Sequence, residues 1–287
     1  MNQRLFELLE KSRPVAARFR RPQGMQGSYI SRRVGPGTEF SELREYLSGD
    51  DVRAIDKNVT ARTGIPHVRI HAEEPDLTLY IAVDLSASGH FGSETSKLMT
   101  AKIAAASILL SAEREHVPMG LCLFSSEIEK FIPAGSGSSH MRLLLTALAE
   151  TDAKNPGTSI QTACRELASR IQKSSSIILI SDFQDTNFAS GLQFLGTRHR
   201  LSALRITDPG ESTLPDVGRI ILEDPESGRQ YLVNTSSQEV RERFSAAAKD
   251  AENKCYSIFF SSETQYVSLS TDGSCIQSLQ KLFSRGV

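Results

Sequence analysis

No apolar run in this sequence reaches the ~20 residues that a membrane-spanning helix needs. The opening MNQRLFELLEKSRP also lacks the apolar core of a secretory signal. Cysteine is sparse and scattered: Cys122, Cys164, Cys255 and Cys275 form no CxxC pair, and no histidine stands at zinc-finger spacing. That argues against a zinc site and for buried free thiols in a reducing compartment. Nor is there an excess of charge. Lys+Arg 33 against Asp+Glu 34 leaves a formal net charge of -1, which gives no reason to expect a polyanion as the main partner. The residues before Pro75 are mildly basic, thirteen Lys+Arg against ten Asp+Glu. Their cluster of Arg18, Arg20, Arg21, Arg32 and Arg33 lacks the interleaved aromatics of a nucleic-acid surface and reads as a solvated face. These absences together predict a cytoplasmic protein with neither membrane insertion nor nucleic-acid binding.

What is present is an alternation of apolar strands and amphipathic helices. Strands are predicted over Leu77–Val83, Met119–Phe124, Ile177–Ser181 and Leu201–Ile206, with a last one near Tyr256–Phe260. Helices are predicted over Glu94–Glu115, Ser139–Glu150, Ser159–Lys173, Phe188–Arg198 and Gln277–Phe283, from apolar residues spaced three and four apart. Strands that are apolar throughout and alternate with helices indicate an α/β fold, with a mostly parallel sheet covered on both faces. Two hairpins are expected as additions, one across Ser125-Ser126 and one across Pro225–Gly228. The first ~75 residues differ in texture, rich in Gly, Pro and Arg, with EFSELREYLSGDDVRAID mixing a short helix and a turn. The division is therefore residues 1–75 as an N-terminal region packed on a main domain of residues 76–287.

The chemistry concentrates at strand ends. The first strong strand runs into Val83-Asp84-Leu85-Ser86-Ala87-Ser88-Gly89, and IILIS runs into Asp182. In a parallel α/β sheet, ligands bind in the crevice beyond the carboxyl ends of the strands. Two carboxylates delivered to that edge make a cation site plausible. Asp and Ser also cap helices after such strands, so capping and cation binding both stand as readings. Thr158, in Asn155-Pro156-Gly157-Thr158-Ser159, is either a helix cap or a third oxygen donor. An all-oxygen set suits Mg²⁺ or Mn²⁺ rather than zinc.

In order, spacing and strand context these residues resemble the von Willebrand factor A domain, over roughly Leu77–Phe283. In that family a D-x-S-x-S loop, a distant Thr and a later Asp form a metal-ion-dependent adhesion site. The resemblance implies a Rossmann-like fold in which Ser86, Ser88 and Thr158 give hydroxyls to the ion, with Asp84 and Asp182 acting directly or through water. An ion held largely by neutral hydroxyls keeps unneutralised charge, and an Asp or Glu of a partner can complete its shell.

A second resemblance covers the rest of the chain. Gly27-Ser28-Tyr29, Ser31-Arg32-Arg33, Gly35-Pro36-Gly37-Thr38-Glu39-Phe40, Arg44-Glu45-Tyr46, Gly49-Asp50-Asp51-Val52-Arg53-Ala54-Ile55-Asp56, Ala61-Arg62 and Val68-Arg69 are similar to a bacterial family. This is the family of MoxR-associated von Willebrand A-like proteins, catalogued as a domain of unknown function. It implies partnership with a MoxR-type AAA+ ATPase that activates or assembles client proteins. The chain departs from the family pattern at Lys57, where Trp is usual, and at Gly89, where Met is usual. Read without the resemblance, Arg44, Asp50, Asp51, Arg53, Asp56 and Arg62 are candidates for an ion-pair network or for partner contact.

The function expected is a non-catalytic, divalent-metal-dependent adaptor. The rival is a metal-dependent hydrolase or phosphatase using Asp84 and Asp182. The phosphatase pattern wants D-x-D where this chain has Ser86 in the third position, and no G-x-S-x-G elbow surrounds Ser86 or Ser88. His67 and His71 lie on one face of an expected strand without an acidic third ligand, and His90 reads as a loop histidine facing solvent.

Overall fold

The computed structural model describes residues 3–16, 42–47, 50, 52, 55–70, 77–92, 95–155, 157–185, 187–223 and 228–284. The chain forms two compact units, Met1–Pro22 with Leu77–Val287, and Gln23–Asp76.

The larger unit is built on six strands: β3 (Leu79–Asp84), β4 (Met119–Phe124), β5 (Ile128–Gly135), β6 (Ser176–Ser181), β7 (Arg200–Thr207) and β10 (Gln265–Ser270). Their spatial order is β10-β7-β6-β3-β4-β5, with every pairing parallel except β4–β5. Counted along the chain from β3, this is the 3-2-1-4-5-6 order of the Rossmann-like sheets. It is the Rossmann-like, mostly parallel α/β architecture expected from the sequence. β3, β4 and β6 are buried at every position, which is why they read as unbroken apolar runs.

Alternate residues of the strands feed two separate cores. Ile81, Val83, Ile178 and Ile180 meet α3 (Lys97–Arg114), α4 (Ser138–Glu150) and α8 (Cys275–Ser284) on one face. Ala82, Cys122, Ile177 and Leu179 meet α5 (Ile160–Arg170), α6 (Ala189–Gly196) and α7 (Gln238–Ser261) on the other. Cys122, Cys164 and Cys255 are buried free thiols, and Cys275 is half-buried.

Helix α3 is enclosed on most sides, with twelve of its eighteen residues buried. Ala and Ser at the crowded positions let neighbouring backbone approach closely. Ser107 Oγ accepts the amide of Arg13 at 3.2 Å and Ser111 Oγ that of Val15 at 2.8 Å. The opening helix α1 (Gln3–Lys11) inserts Leu8 into the same core. The described opening residues, 3–16, therefore pack with the main unit. This corrects the division at residue 75, which assigned the opening helix to the N-terminal region.

Two further expectations fail. Tyr256–Phe260 is not a strand but the end of the 24-residue helix α7. Cys255 and Phe259, four apart, are its buried residues, whereas Phe260 is 77% exposed, so the run follows the helical period rather than alternation. The sixth strand lies just beyond, at Gln265–Ser270, where Val267 and Leu269 alternate inward around Ser268. The hairpin of β8 (Arg219–Glu223) and β9 (Gln230–Asn234) forms as expected, in a small antiparallel sheet of its own.

In the smaller unit the segment read as a short helix and turn instead contributes β1 (Glu42–Glu45), antiparallel to β2 (His67–Ile70). Between them α2 (Lys57–Thr63) starts at Asp56. The buried Asp56 carboxylate caps the helix by accepting the amides of Asn58 at 2.8 Å and Val59 at 3.2 Å. Gly64 closes it in the left-handed conformation at φ 72°, a role suited to glycine.

Candidate functional site

The register of the central strands brings the predicted residues together. β3 and β6 are hydrogen-bonded neighbours, with Val83 opposite Ile180. The next residue on each strand, Asp84 and Ser181, therefore emerges side by side at the carboxyl edge. β3 and β6 are the first and fourth strands of the 3-2-1-4-5-6 order, so this is the switch point where the crevice of such a sheet opens.

Asp84 is buried and held by three donors. Its Oδ1 accepts the Ser86 amide at 2.9 Å, folding the D-x-S loop back on itself as an Asx-turn. Its Oδ2 accepts the hydroxyls of Thr158 at 2.9 Å and Ser181 at 2.7 Å. Ser86 and Ser88 are also buried, with hydroxyl oxygens 3.1 Å apart. Ser88 is placed by a single 3₁₀ turn over Ala87–His90. A Cβ at Gly89 would come within 3.1 Å of the Leu98 Cβ, so glycine there lets this turn lie close against α3. His90 faces solvent.

The structure divides the two adjacent hydroxyls before α5 between the two roles open to them. Ser159 is the cap, accepting the Thr162 amide at 3.3 Å, while Thr158 turns toward Asp84. The loop is anchored from β5 and from the turn preceding it. Ser159 N donates to Ser125 O at 3.0 Å, and the Glu129 carboxylate accepts from Ser125 Oγ at 2.6 Å and Lys154 N at 2.9 Å.

Asp182 also arrives at the pocket, but engaged. Its Oδ2 lies 2.6 Å from Lys97 Nζ, which contacts Glu211 Oε1 at 2.5 Å as well. Gln184 Nε2 donates to the same Glu211 oxygen at 2.7 Å. The residue after Asp182, Phe183, holds φ 56°. A left-handed conformation is uncommon for a bulky residue and concentrates at functional sites. It is held in place by ring contacts to Phe188 at 5.4 Å and Phe259 at 4.9 Å.

Lys97, Ser181 and Glu211 were not among the residues singled out from sequence. Lys97 is the first residue of α3, where a cation opposes the helix dipole, but with the helix expected from Glu94 this placement was hidden in the sequence. Its partners Asp182 and Glu211 lie 85 and 114 residues away in sequence, and spacing does not reveal such a contact.

Electrostatically the pocket is short of positive charge. Burial raises the Asp84 pKa; the Ser86 amide opposes this, and the charge of Asp182 adds to it. For Lys97, burial alone would lower the pKa, but Asp182 and Glu211 outweigh it and hold the ammonium above its ordinary value. One ammonium is thus shared by two carboxylates, Asp182 and Glu211, and Asp84 is a further carboxylate on the same pocket.

The donor set fits a hard cation. Asp84, Ser86, Ser88, Lys97, Ser181 and Asp182 border a pocket of about 10 Å³, room for about one water-sized particle. The oxygen–oxygen separations of 2.7–3.1 Å are hydrogen-bond distances, so these hydroxyls satisfy one another and Asp84 in the absence of an ion, and they could turn their lone pairs to one without moving far. Among the described residues no three His, Cys, Asp or Glu side chains are grouped so as to hold a metal ion by themselves. The set is one of hydroxyls plus carboxylate, unsuited to zinc.

In the N-terminal unit, Asp56 is a helix cap and Asp50 Oδ2 accepts the Leu47 amide at 2.9 Å. Arg62 is exposed in the last turn of α2, and Arg44 lies in β1 opposite Val68. Asp51, Arg53, Gly35 and Gly37 lie outside the described residues, as does the side chain of Arg44.

A family model described as "Protein of unknown function DUF58" matches residues 42–254. Uncharacterized proteins of Mycobacterium tuberculosis (Rv1480) and Mycobacterium bovis (Mb1516) are each 32% identical to this chain over 232 residues, covering 78% of it and 72% of the relative. Among solved structures, the conserved hypothetical protein BatB of Bacteroides thetaiotaomicron is 18% identical. That match covers 73% of this chain and 98% of that one at a TM-score of 0.48. The manganese-loaded TRAP protein of Plasmodium vivax is 22% identical, covering 45% and 57% at a TM-score of 0.35.

Proposed function

This chain belongs to the family described as protein of unknown function DUF58, and we propose that it is a non-catalytic protein-interaction module that grips its partner through a divalent ion. The observation that carries this reading is the arrangement around Asp84. A buried carboxylate accepts the hydroxyls of Thr158 and Ser181, and the buried, mutually bonded hydroxyls of Ser86 and Ser88 line the same pocket, an all-oxygen set of the kind that suits Mg²⁺ or Mn²⁺. Ser86, Ser88 and Thr158 would hold the ion with Asp84, while Asp182, engaged by Lys97, would act through water. When bound, the ion supplies a coordination position that a partner's Asp or Glu can fill.

The same geometry disfavours hydrolysis. Both Asp84 oxygens already accept hydrogen bonds, which blunts the carboxylate as a nucleophile, and Ser86 occupies the position where a phosphatase of the two-aspartate type needs its acid.

The N-terminal signature from Gly27 to Arg69 supports a MoxR-type AAA+ ATPase as the partner, with this chain as adaptor toward a client. No helix among the described residues is long and apolar enough to cross a membrane, and the free cysteines suit a reducing, cytoplasmic setting.

Titration calorimetry with Mg²⁺ and Mn²⁺ on wild type and Asp84→Ala tests the ion. Saturable binding lost in the variant is expected, and equal heats from both proteins would overturn the reading. Co-purification with a MoxR-type AAA+ ATPase tests the partner. A metal-dependent phosphatase turnover abolished by Ser86→Ala would establish the hydrolase instead.

A further inference from the structure

Lys97 is the least expected residue of the site. A lysine side chain only 2% exposed is uncommon, because burying an ammonium costs several kcal/mol unless its partners compensate. Here they do. Nζ is shared between Asp182 and Glu211, and it lies 5.9 Å from the centre of the Phe91 ring. Glu211 is itself fixed, since its other oxygen accepts the Asp208 amide at 3.1 Å in a reciprocal capping box, and Gln184 Nε2 binds the first. The ammonium is therefore pinned beside the pocket by anchors on three elements: α3, the loop after β6, and the 3₁₀ turn after β7 (Pro209–Glu211).

We propose that Lys97 sets the affinity of the site for its divalent ion, its ammonium occupying Asp182 and so keeping that carboxylate from direct coordination. This inference rests on the metal reading above. A fixed monocation at the wall of the pocket acts on a dication in two ways that add. It repels the ion at short range, and it holds the Asp182 oxygen that would otherwise be the pocket's second anionic ligand. Glu211 works in the opposite sense, drawing the ammonium's charge toward itself and contributing a negative charge just outside the donor set. The two residues therefore have opposite effects on ion affinity although they form one ion pair.

The test is Mn²⁺ binding to the full chain, read by the loss of the free-ion electron paramagnetic resonance signal, with circular dichroism confirming the fold of each variant. Lys97→Met is expected to bind Mn²⁺ at least about tenfold more tightly than wild type, and Glu211→Gln several-fold more weakly, from charge changes at such range in a partly buried site. If Lys97→Met alone does not fold, Lys97→Met with Glu211→Gln neutralises the pair together, and must then bind more tightly than Glu211→Gln alone. A purely structural ion pair would weaken binding in both single variants. Mn²⁺ binding that needs Asp84 but is unchanged or weaker in Lys97→Met overturns this inference and leaves the metal reading standing. Wild-type binding that is absent, or unaffected by Asp84→Ala, overturns both.

Discussion

Replacing Asp84 by Asn should stabilise the ion-free protein and abolish its response to Mg²⁺, two effects of opposite sign from one substitution. The carboxylate accepts three hydrogen bonds, from Ser86 N, Thr158 Oγ1 and Ser181 Oγ. Exchanging a charged acceptor for a neutral one weakens each by about 1 kcal/mol, about 3 kcal/mol in all. Against that stands relief from burying an ionised group, an effective penalty of several kcal/mol, and from the repulsion of Asp182. Burial first, and then the charge of Asp182, raises the Asp84 pKa, so the charged form is less favoured here than in water. The Asn amide can still satisfy the two hydroxyls, which donate or accept as needed. The net gain is about 1–2 kcal/mol, a rise in melting temperature of about 2–8 °C for a unit of this size. Wild type, in turn, should gain about 2.7 kcal/mol from Mg²⁺ at a hundred times its dissociation constant, and the variant nothing. Calorimetric melting of both proteins in EDTA and in Mg²⁺ should therefore show their order reversing. An Asn variant that melts below wild type in EDTA would refute the account of a charge-starved pocket. Equal gains from Mg²⁺ would refute the assignment of the ion to it.

Other consequences follow from features away from the ion. Burial pushes the thiols of Cys122 and Cys164 up to about 12, so neither should be alkylated by iodoacetamide at pH 8 until the protein is unfolded. Mass spectrometry of peptides before and after urea reads this directly, and rapid native labelling at either position would contradict the packing. His199 is buried and its pKa lowered, by burial first and then by Arg198. The unfolded chain therefore takes up the proton first, and stability should fall as pH drops below about 6.5, by at most about 1.4 kcal/mol per pH unit from this group. Urea midpoints at pH 7.5 and 5.5 should differ less in His199→Gln than in wild type. Leu8→Ala should cost about 2–5 kcal/mol despite its place near the start of the chain, because Leu8 sits in the core beside α3; a loss below 1 kcal/mol in urea denaturation would detach α1 from that core.

How much of this was legible beforehand varies with how local the cause is. β3, β4 and β6 are read easily because strands buried on both faces need apolar side chains at every position, a property of a six-residue window. Tyr256–Phe260 misleads for the same reason. A five-residue run with four apolar members carries too few periods to separate a strand from a helix, and the deciding evidence, Cys255 and Phe259 buried four apart, begins one residue outside the run. The site divides along the same line. Asp84, Ser86 and Ser88 share one loop, and their grouping needs only the strand that precedes them. Ser181 could have been added from register, since a parallel neighbour of β3 ending in Ser-Asp must present the serine beside Asp84. Lys97 could not, because its position is set by three elements whose meeting is a tertiary fact.

That division bears on what the site is for. Each hydroxyl around Asp84 belongs to a residue type that also caps helices and turns, so the capping and cation readings of this sequence rest on the same chemistry. Where the hydroxyls point favours the cation reading proposed above. A site evolved only to cap would spend Thr158 and Ser159 on the amides of α5. Instead Ser159 serves α5, and the first amide of that helix, Ile160 N, is met at 3.0 Å by Asp185. Thr158 is left to Asp84, and with Ser181 it crowds a second neutral donor onto one carboxylate oxygen that burial already makes costly to ionise. Capping requires none of this. A buried carboxylate beside rotatable hydroxyls, with an ammonium that neutralises only part of the surrounding charge, is the arrangement on which the proposed small cation rests.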